Sequence, residues 1–171
     1  MVTINVAFTS PINPAGATPV LTLNQVWAGL ERKIRFAQEF VPVILGTEVL
    51  EETTEGTGSE AVPVVVREAT FKEGFREGDP KVKEVCKCYE PSRVDFHQPN
   101  GTIISNVISF DANDALNMTY SFAWRYPEVS ASDAAAVAEL RKKHRAGAQI
   151  AVESSIQAIR EMVKDGRIKE A

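Results

Sequence analysis

Four polar side chains of this sequence have an expected inward direction, three of them titratable: Glu84, Tyr120 and His144, with the amide of Asn106. Glu84 lies in the run Lys81-Val82-Lys83-Glu84-Val85-Cys86-Lys87-Cys88. With the lysines in water, the alternation of a strand turns Val82, Glu84, Cys86 and Cys88 inward. A carboxylate on an apolar face has a raised pKa unless it is paired, and then serves as a general acid or base near neutral pH. The same pattern also accommodates an ion pair with Arg67, or a one-residue slip that returns Glu84 to water. His144 falls on the inward stripe of a helix, where an imidazole can shuttle a proton or simply bond to backbone at the sheet rim. Tyr120 can donate its hydroxyl to a ligand carbonyl, or serve as core with that hydroxyl satisfied. Asn106 can orient a carbonyl or enol oxygen, or bond a bulge.

Other chemistries find no support. Cys86-Lys87-Cys88 offers two thiols, and neither His97 nor His144 falls at zinc-site spacing, so no metal is expected. No glycine-rich phosphate loop and no nucleophile elbow is present, and no cofactor is expected. Asp95 and His97 share a strand face without a serine nucleophile. The sequons at Asn100 and Asn117 carry little meaning without a secretory signal.

These side chains must be positioned by a definite set of elements. Leu116, Met118, Tyr120, Phe122 and Trp124 alternate with small or polar residues, so this strand has one aromatic face. Val2, Ile4, Val6 and Phe8 mark an opening strand. Thr22 and Gln25 form a capping box for a helix carrying Leu23, Val26, Trp27, Leu30 and Ile34. A second short helix is expected over Phe36 to Val41, stopping at Pro42. Turn signals near Gly56, Gly78, Pro91, Gly101 and Asp111 then divide six strands, at roughly 44–53, 62–74, 81–90, 93–98, 102–111 and 115–126. The strand 62–74 admits two phases. Val64 and Val66 go with Glu68, whereas Val65, Ala69 and Phe71 go with Arg67.

A final helix is expected from a capping box at Ser130 and Asp133 to a stop at Gly166, about 35 residues and roughly 50 Å long. Its inward stripe runs through Val137, Leu140, His144, Ala148, Ala151 or Val152, Ser155, Ile159 and Met162, with Gly147 among its small residues. The expected fold is α+β: a seven-stranded antiparallel curved sheet gripping the long C-terminal helix, with two short helices after the first strand. A bulky aromatic sheet facing small helix residues leaves room for a pocket.

The 171 residues suit a single domain over 1–171. The net charge of −4 argues against a nucleic-acid partner. No apolar run approaches the roughly 18 residues that span a bilayer, so no stable membrane association is expected. The first ten residues show no signal-peptide pattern, and cytoplasmic residence is expected by default. The pattern carries no signal for an oligomeric state.

The run Tyr89-Glu90-Pro91-Ser92-Arg93-Val94-Asp95-Phe96, followed by Asn100-Gly101 and Asn106, resembles the AtaL-like branch of the START/SRPBCC superfamily. So do Met118 to Arg125, Leu140 to Lys143, and Thr22 to Pro42 with Trp27-Ala28-Gly29-Leu30 and Phe40-Val41-Pro42. The similarity spans roughly Thr18 to Lys164. The branch has no established catalytic motif, and some of its members resemble products of secondary-metabolite gene clusters. The superfamily implies the helix-grip fold and a deep hydrophobic cavity for lipids, polyketides or other apolar molecules. It also includes aromatase/cyclases.

From side-chain direction, Glu84, His144 and Tyr120 are the candidate catalytic residues. Arg67, Asn106, Met118 and Phe122 are expected to touch the ligand, as are Trp124, Ala148 and Ser155. Two readings follow. One is a cofactor-free cyclase or dehydratase acting on a polyketide-like metabolite. The other is a non-catalytic carrier of a hydrophobic small molecule.

Overall fold

The structure, a computed structural model, describes residues 1–74 and 79–169. The turn expected at Glu77-Gly78-Asp79-Pro80 lies partly outside them. Strand β1 (Val2–Pro11) leads through a loop to helix α1 (Leu23–Arg35). Then come β2 (Ile44–Glu55), β3 (Val62–Phe71), β4 (Lys81–Tyr89), β5 (Arg93–His97), β6 (Ile103–Phe110) and β7 (Leu116–Tyr126). Helix α2 (Ala134–Lys164) completes the order. All seven strands form one antiparallel sheet in the order β1-β7-β6-β5-β4-β3-β2. This is the expected helix-grip architecture, with β1 and β2 as its two edges.

Local chemistry sets the helix boundaries. The hydroxyl of Thr22 accepts from Gln25 N, and the Gln25 side chain accepts from Thr22 N, so the capping box forms at α1. The second helix is shorter than expected. Only Ala37–Glu39 adopts a 3-10 turn, because Phe36 leaves helical geometry at φ −134°, ψ 53°. Glu39 then closes back on Arg32 at 2.6 Å. At α2 the cap is Asp133, whose Oδ1 accepts from Ala136 N at 3.0 Å. Ser130 bonds Ser132 instead, so the box expected at Ser130 does not form and the helix has 31 residues. Gly166 supplies the left-handed stop at φ +81°, and Ile168 N turns back to Met162 O.

The core lies between the inner sheet face and the two helices. Val26, Leu30 and Ile34 of α1 meet Val152, Ile156, Ile159 and Met162 of α2 over Val65, Cys86, Val94, Phe96, Met118 and Tyr120. Arg160 of α2 reaches across to the loop after β1, where its guanidinium donates to the carbonyls of Ile12 and Pro19. This ties the last helix to the first loop. Gly147 is exposed and stands outside the inward stripe, whereas Ala148 is buried in it.

Gly29 of α1 packs directly against Ile159 of α2. A Cβ there would lie 2.5 Å from Ile159 Cγ1, and Ile159 is fully buried. Gly29→Ala gains helix propensity but forces Ile159 out of its rotamer. The expected net effect is a loss of about 1–2 kcal/mol in chemical denaturation. Ile159→Ala removes all three clashing atoms, so the double variant should lose less than the sum of the two single losses.

Candidate functional site

Two side chains of α1 and β3 set the floor of the interior. Arg67 points inward with Val65 and Ala69, which settles the phase of β3, and Glu68 faces out to Lys81. Arg67 sits opposite Glu84 in the β3–β4 register. Its Nε and Nη2 donate to Glu84 Oε2 at 2.9 and 2.7 Å, and both residues are only 3 % exposed. Glu84 Oε1 accepts from Gln98 Nε2 at 2.9 Å. Glu84 is therefore inward, as expected, and occupied by the ion pair that was the other reading of its position. The third nitrogen, Arg67 Nη1, donates to the carbonyls of Lys33 and Ile34 at 2.8 and 2.9 Å. It thus satisfies two of the carbonyls left open at the end of α1, where a cation is favoured by the helix dipole.

Lys33 is the residue that the sequence reading missed. It is 6 % exposed, in the last turn of α1, and its amine reaches into the centre of the molecule. Nζ donates to Asn106 Oδ1 at 3.0 Å, the Tyr120 hydroxyl at 3.0 Å and Ser155 Oγ at 3.3 Å. It also lies 4.2 Å from the centroid of the Tyr120 ring. Three of the expected residues, from β6, β7 and α2, are therefore brought together around an amine from α1. The signal was spacing: Lys33 lies seven residues after Val26 and three after Leu30, on the apolar stripe itself.

Burial is the largest cause that lowers the Lys33 ammonium pKa, with the Arg67 charge adding to it and Glu84 opposing it; the result is about 7. Burial pushes the Tyr120 phenol above its ordinary range, only partly offset by its bond to Ser155. Cys86 and Cys88 are buried, reduced thiols pushed up to about 12 and about 11 by desolvation. Neither is a nucleophile near neutral pH. Among the described residues, no group of three or more His, Cys, Asp or Glu side chains is placed to hold a metal ion.

From Tyr120 an aromatic run leads outward along the inner face of β7. Phe122 stands edge-on to Tyr120 at 6.4 Å, and Trp124 stacks on Phe122 at 5.6 Å and 8°. His144 of α2 continues the stack on Trp124 at 4.8 Å and 18°. Its Nε2 is 2.5 Å from the Tyr126 hydroxyl. Desolvation, with the Lys143 charge behind it, lowers the His144 pKa to about 4, so the ring is neutral near pH 7. Phe122, Trp124 and His144 are half-buried, whereas Met118, Tyr120, Ala148 and Ser155 are buried. The site residues thus form a buried polar centre and a partly open aromatic wall. Arg67 and Glu84 contact the centre only through α1, and His144 stands at the wall's outer end.

Two open grooves mark the surface. One, of about 410 Å³, lies between the loop after β1 and α2, with Arg160 in its wall. The other, of about 470 Å³, lies over β1, β6 and β7 near Ser105 and Ser121. Neither is lined by Lys33, Asn106, Tyr120 or Ser155.

Residues 6–166 match the AtaL family, described as acetylaranotin biosynthesis cluster protein L. No curated protein sequence matches the chain. Several solved structures share its fold at low identity. One is the aromatase/cyclase Zhui from Streptomyces sp. R1128, at 14 % identity and TM-score 0.54, with 95 % of this chain and 96 % of that chain covered. Another is Ara h 8.0201, at 13 % identity and TM-score 0.54, covering 92 % of this chain and 97 % of that chain. The di-domain aromatase/cyclase StfQ of the steffimycin biosynthetic pathway has TM-score 0.58 at 13 % identity. It is matched over 96 % of this chain but 52 % of its own, so the chain spans about half of that protein. At such identities the likeness is one of fold: an antiparallel sheet gripping a long C-terminal helix.

Two outcomes follow from the electrostatics. Lys33 titrates lower in the folded than in the unfolded state, so between pH 7 and 9 the unfolded chain holds more protons. Stability should therefore rise with pH across that window, by about 2 kcal/mol from this group. Lys33→Met should flatten the rise in urea titrations at each pH; an unchanged slope excludes the depressed amine. Arg67→Met should cost about 3–5 kcal/mol by leaving Glu84 charged, buried and half-paired. Arg67→Met with Glu84→Met should recover most of that loss, as read by thermal or urea unfolding.

Proposed function

The chain belongs to the AtaL family, and from that membership we propose that it binds a hydrophobic, largely planar small molecule of secondary metabolism. In this reading the ligand lies between the aromatic wall of β7 and helix α2, and is folded there for a cofactor-free cyclisation or dehydration. The supporting observation is the continuous run from Lys33 through Tyr120, Phe122 and Trp124 to His144. It gives an apolar molecule a wall of aromatic edges whose inner end is polar and whose outer end is half-buried. The aromatase/cyclases among the structural neighbours are consistent with it. Tyr120 and Lys33 supply a proton donor and acceptor at the inner end, and Asn106 and Ser155 orient them. His144, neutral near pH 7, can accept a proton at the outer end. Glu84 acts by holding Arg67. Orientation of a flexible chain for ring closure lowers the barrier by several kcal/mol, up to about 7–11 in well-oriented cases.

The occupancy of Glu84 by Arg67 and Gln98 favours a second reading, a carrier that holds the ligand without changing it. Two measurements separate the outcomes. N-phenyl-1-naphthylamine should gain fluorescence on binding, and Trp124→Ala should weaken that binding by about tenfold with the far-ultraviolet circular dichroism unchanged. Loss of this effect removes the wall as the binding surface. Incubation with a linear aromatic poly-β-ketone should return a cyclised product, slowed about 10²- to 10⁴-fold by Tyr120→Phe. Recovery of the compound at its uncatalysed rate of change establishes the carrier.

A further inference from the structure

The buried centre carries more positive charge than it neutralises. Two cations are buried there, Lys33 and Arg67, and one carboxylate, Glu84. Arg67 is compensated twice, by Glu84 and by the carbonyls of Lys33 and Ile34 at the negative end of α1. Glu84 has both oxygens engaged, by Arg67 and by Gln98. Lys33 receives only neutral oxygens, those of Asn106, Tyr120 and Ser155. The remaining titratable neighbours, the Cys86 thiol and the Tyr120 phenol, are both held neutral by burial. A buried ammonium without an opposite charge is strongly disfavoured, and either loses its proton or acquires an anion.

We infer that Lys33 is an oxyanion subsite: the planar ligand that lies along the edges of the aromatic wall carries an acidic oxygen, a carboxylate or an ionised enol, and places it against the Lys33 amine in exchange for the Ser155 hydroxyl, the longest of its three contacts at 3.3 Å. The inference rests on the reading of the aromatic wall as the binding surface, and it adds the ligand's charge and orientation. The Asn106, Tyr120 and Ser155 oxygens hold the amine on the axis of the wall, with Tyr120 joining the two. An anion arriving there restores the charge balance, so its binding stabilises the protonated amine. Above pH 7, where the free amine is largely neutral, binding of an already ionised ligand must take up a proton from solvent. A ligand without charge takes up none.

The test compares matched pairs at pH 8 by isothermal titration calorimetry, in two buffers of different ionisation enthalpy. The pairs are 2-naphthoate with 2-naphthamide, and 2-hydroxy-1,4-naphthoquinone, an ionised enol, with its 2-methoxy ether. At least one ionised member should bind tenfold or more tighter than its neutral partner, with uptake approaching one proton per site. Which pair discriminates identifies the acid as carboxylate or enol. Lys33→Met should abolish both the preference and the uptake while keeping affinity for the neutral members. Should that variant not fold, the wild-type comparison decides alone. Equal affinity within both pairs, or preference without proton uptake, overturns the subsite while leaving the wall intact as a binding surface. Failure of all four probes to bind, with Trp124 fluorescence unmoved, overturns both.

Discussion

Arg67 joins the sheet to α1, and the geometry of the interior depends on that joint. A single guanidinium bridges β3, β4 and the last turn of α1, using one edge for Glu84 and one nitrogen for two helix carbonyls. Its planar fork suits this division, because the donors point in fixed and different directions. The α1 terminus is thereby fixed in height and rotation over the sheet, and so is the amine of Lys33. The face of Arg67 also covers Phe96, 4.8 Å from its ring centroid, which packs the pair into the apolar floor. Glu84 has a structural partner on every side, so its conversion into a free base would dismantle the joint.

Beyond this joint, polar and apolar groups are graded rather than mixed. The inner end of β7 presents a phenol to an amine, its middle presents stacked rings, and its outer end presents an imidazole held by Tyr126. Such a gradient fits a molecule with one polar end and a flat body. It also explains why the thiols of Cys86 and Cys88 remain inert beside it, since their desolvation keeps them protonated.

Residues differ in how plainly their pattern announced this arrangement. The strand Leu116–Tyr126 was legible because one face is aromatic and the other small or polar, and alternation leaves no second solution. Glu84, Asn106 and Tyr120 were legible for the same reason, each in phase with apolar neighbours on its strand, and Ser155 by helical spacing from Val152, Ile159 and Met162. The phase of β3 was not, because Val64 and Val65 are both buried and hydropathy alone favours neither face. The second helix forms but is shorter than its pattern suggested, since Phe36 leaves helical geometry and only Ala37–Glu39 turns. Lys33 was hidden by its own charge. Lysine on a helix is normally solvated, and the apolar spacing that pointed inward was read around it. The width of the space between wall and helix depends on packing distances that no periodicity records.

The clamp of Arg160 on the carbonyls of Ile12 and Pro19 has a consequence in time. It joins positions 148 and 141 residues apart, and Lys33 reaches Ser155 over 122. Contacts of such separation form late, after the loop entropy between them has been overcome. During synthesis, α1 and the early strands leave the ribosome long before α2 exists. Only when the last helix arrives does Lys33 gain its Ser155 partner, and only then do Val152, Ile156 and Ile159 cover the inner sheet face. The order of emergence thus makes docking of α2 the event that dries the centre of the protein.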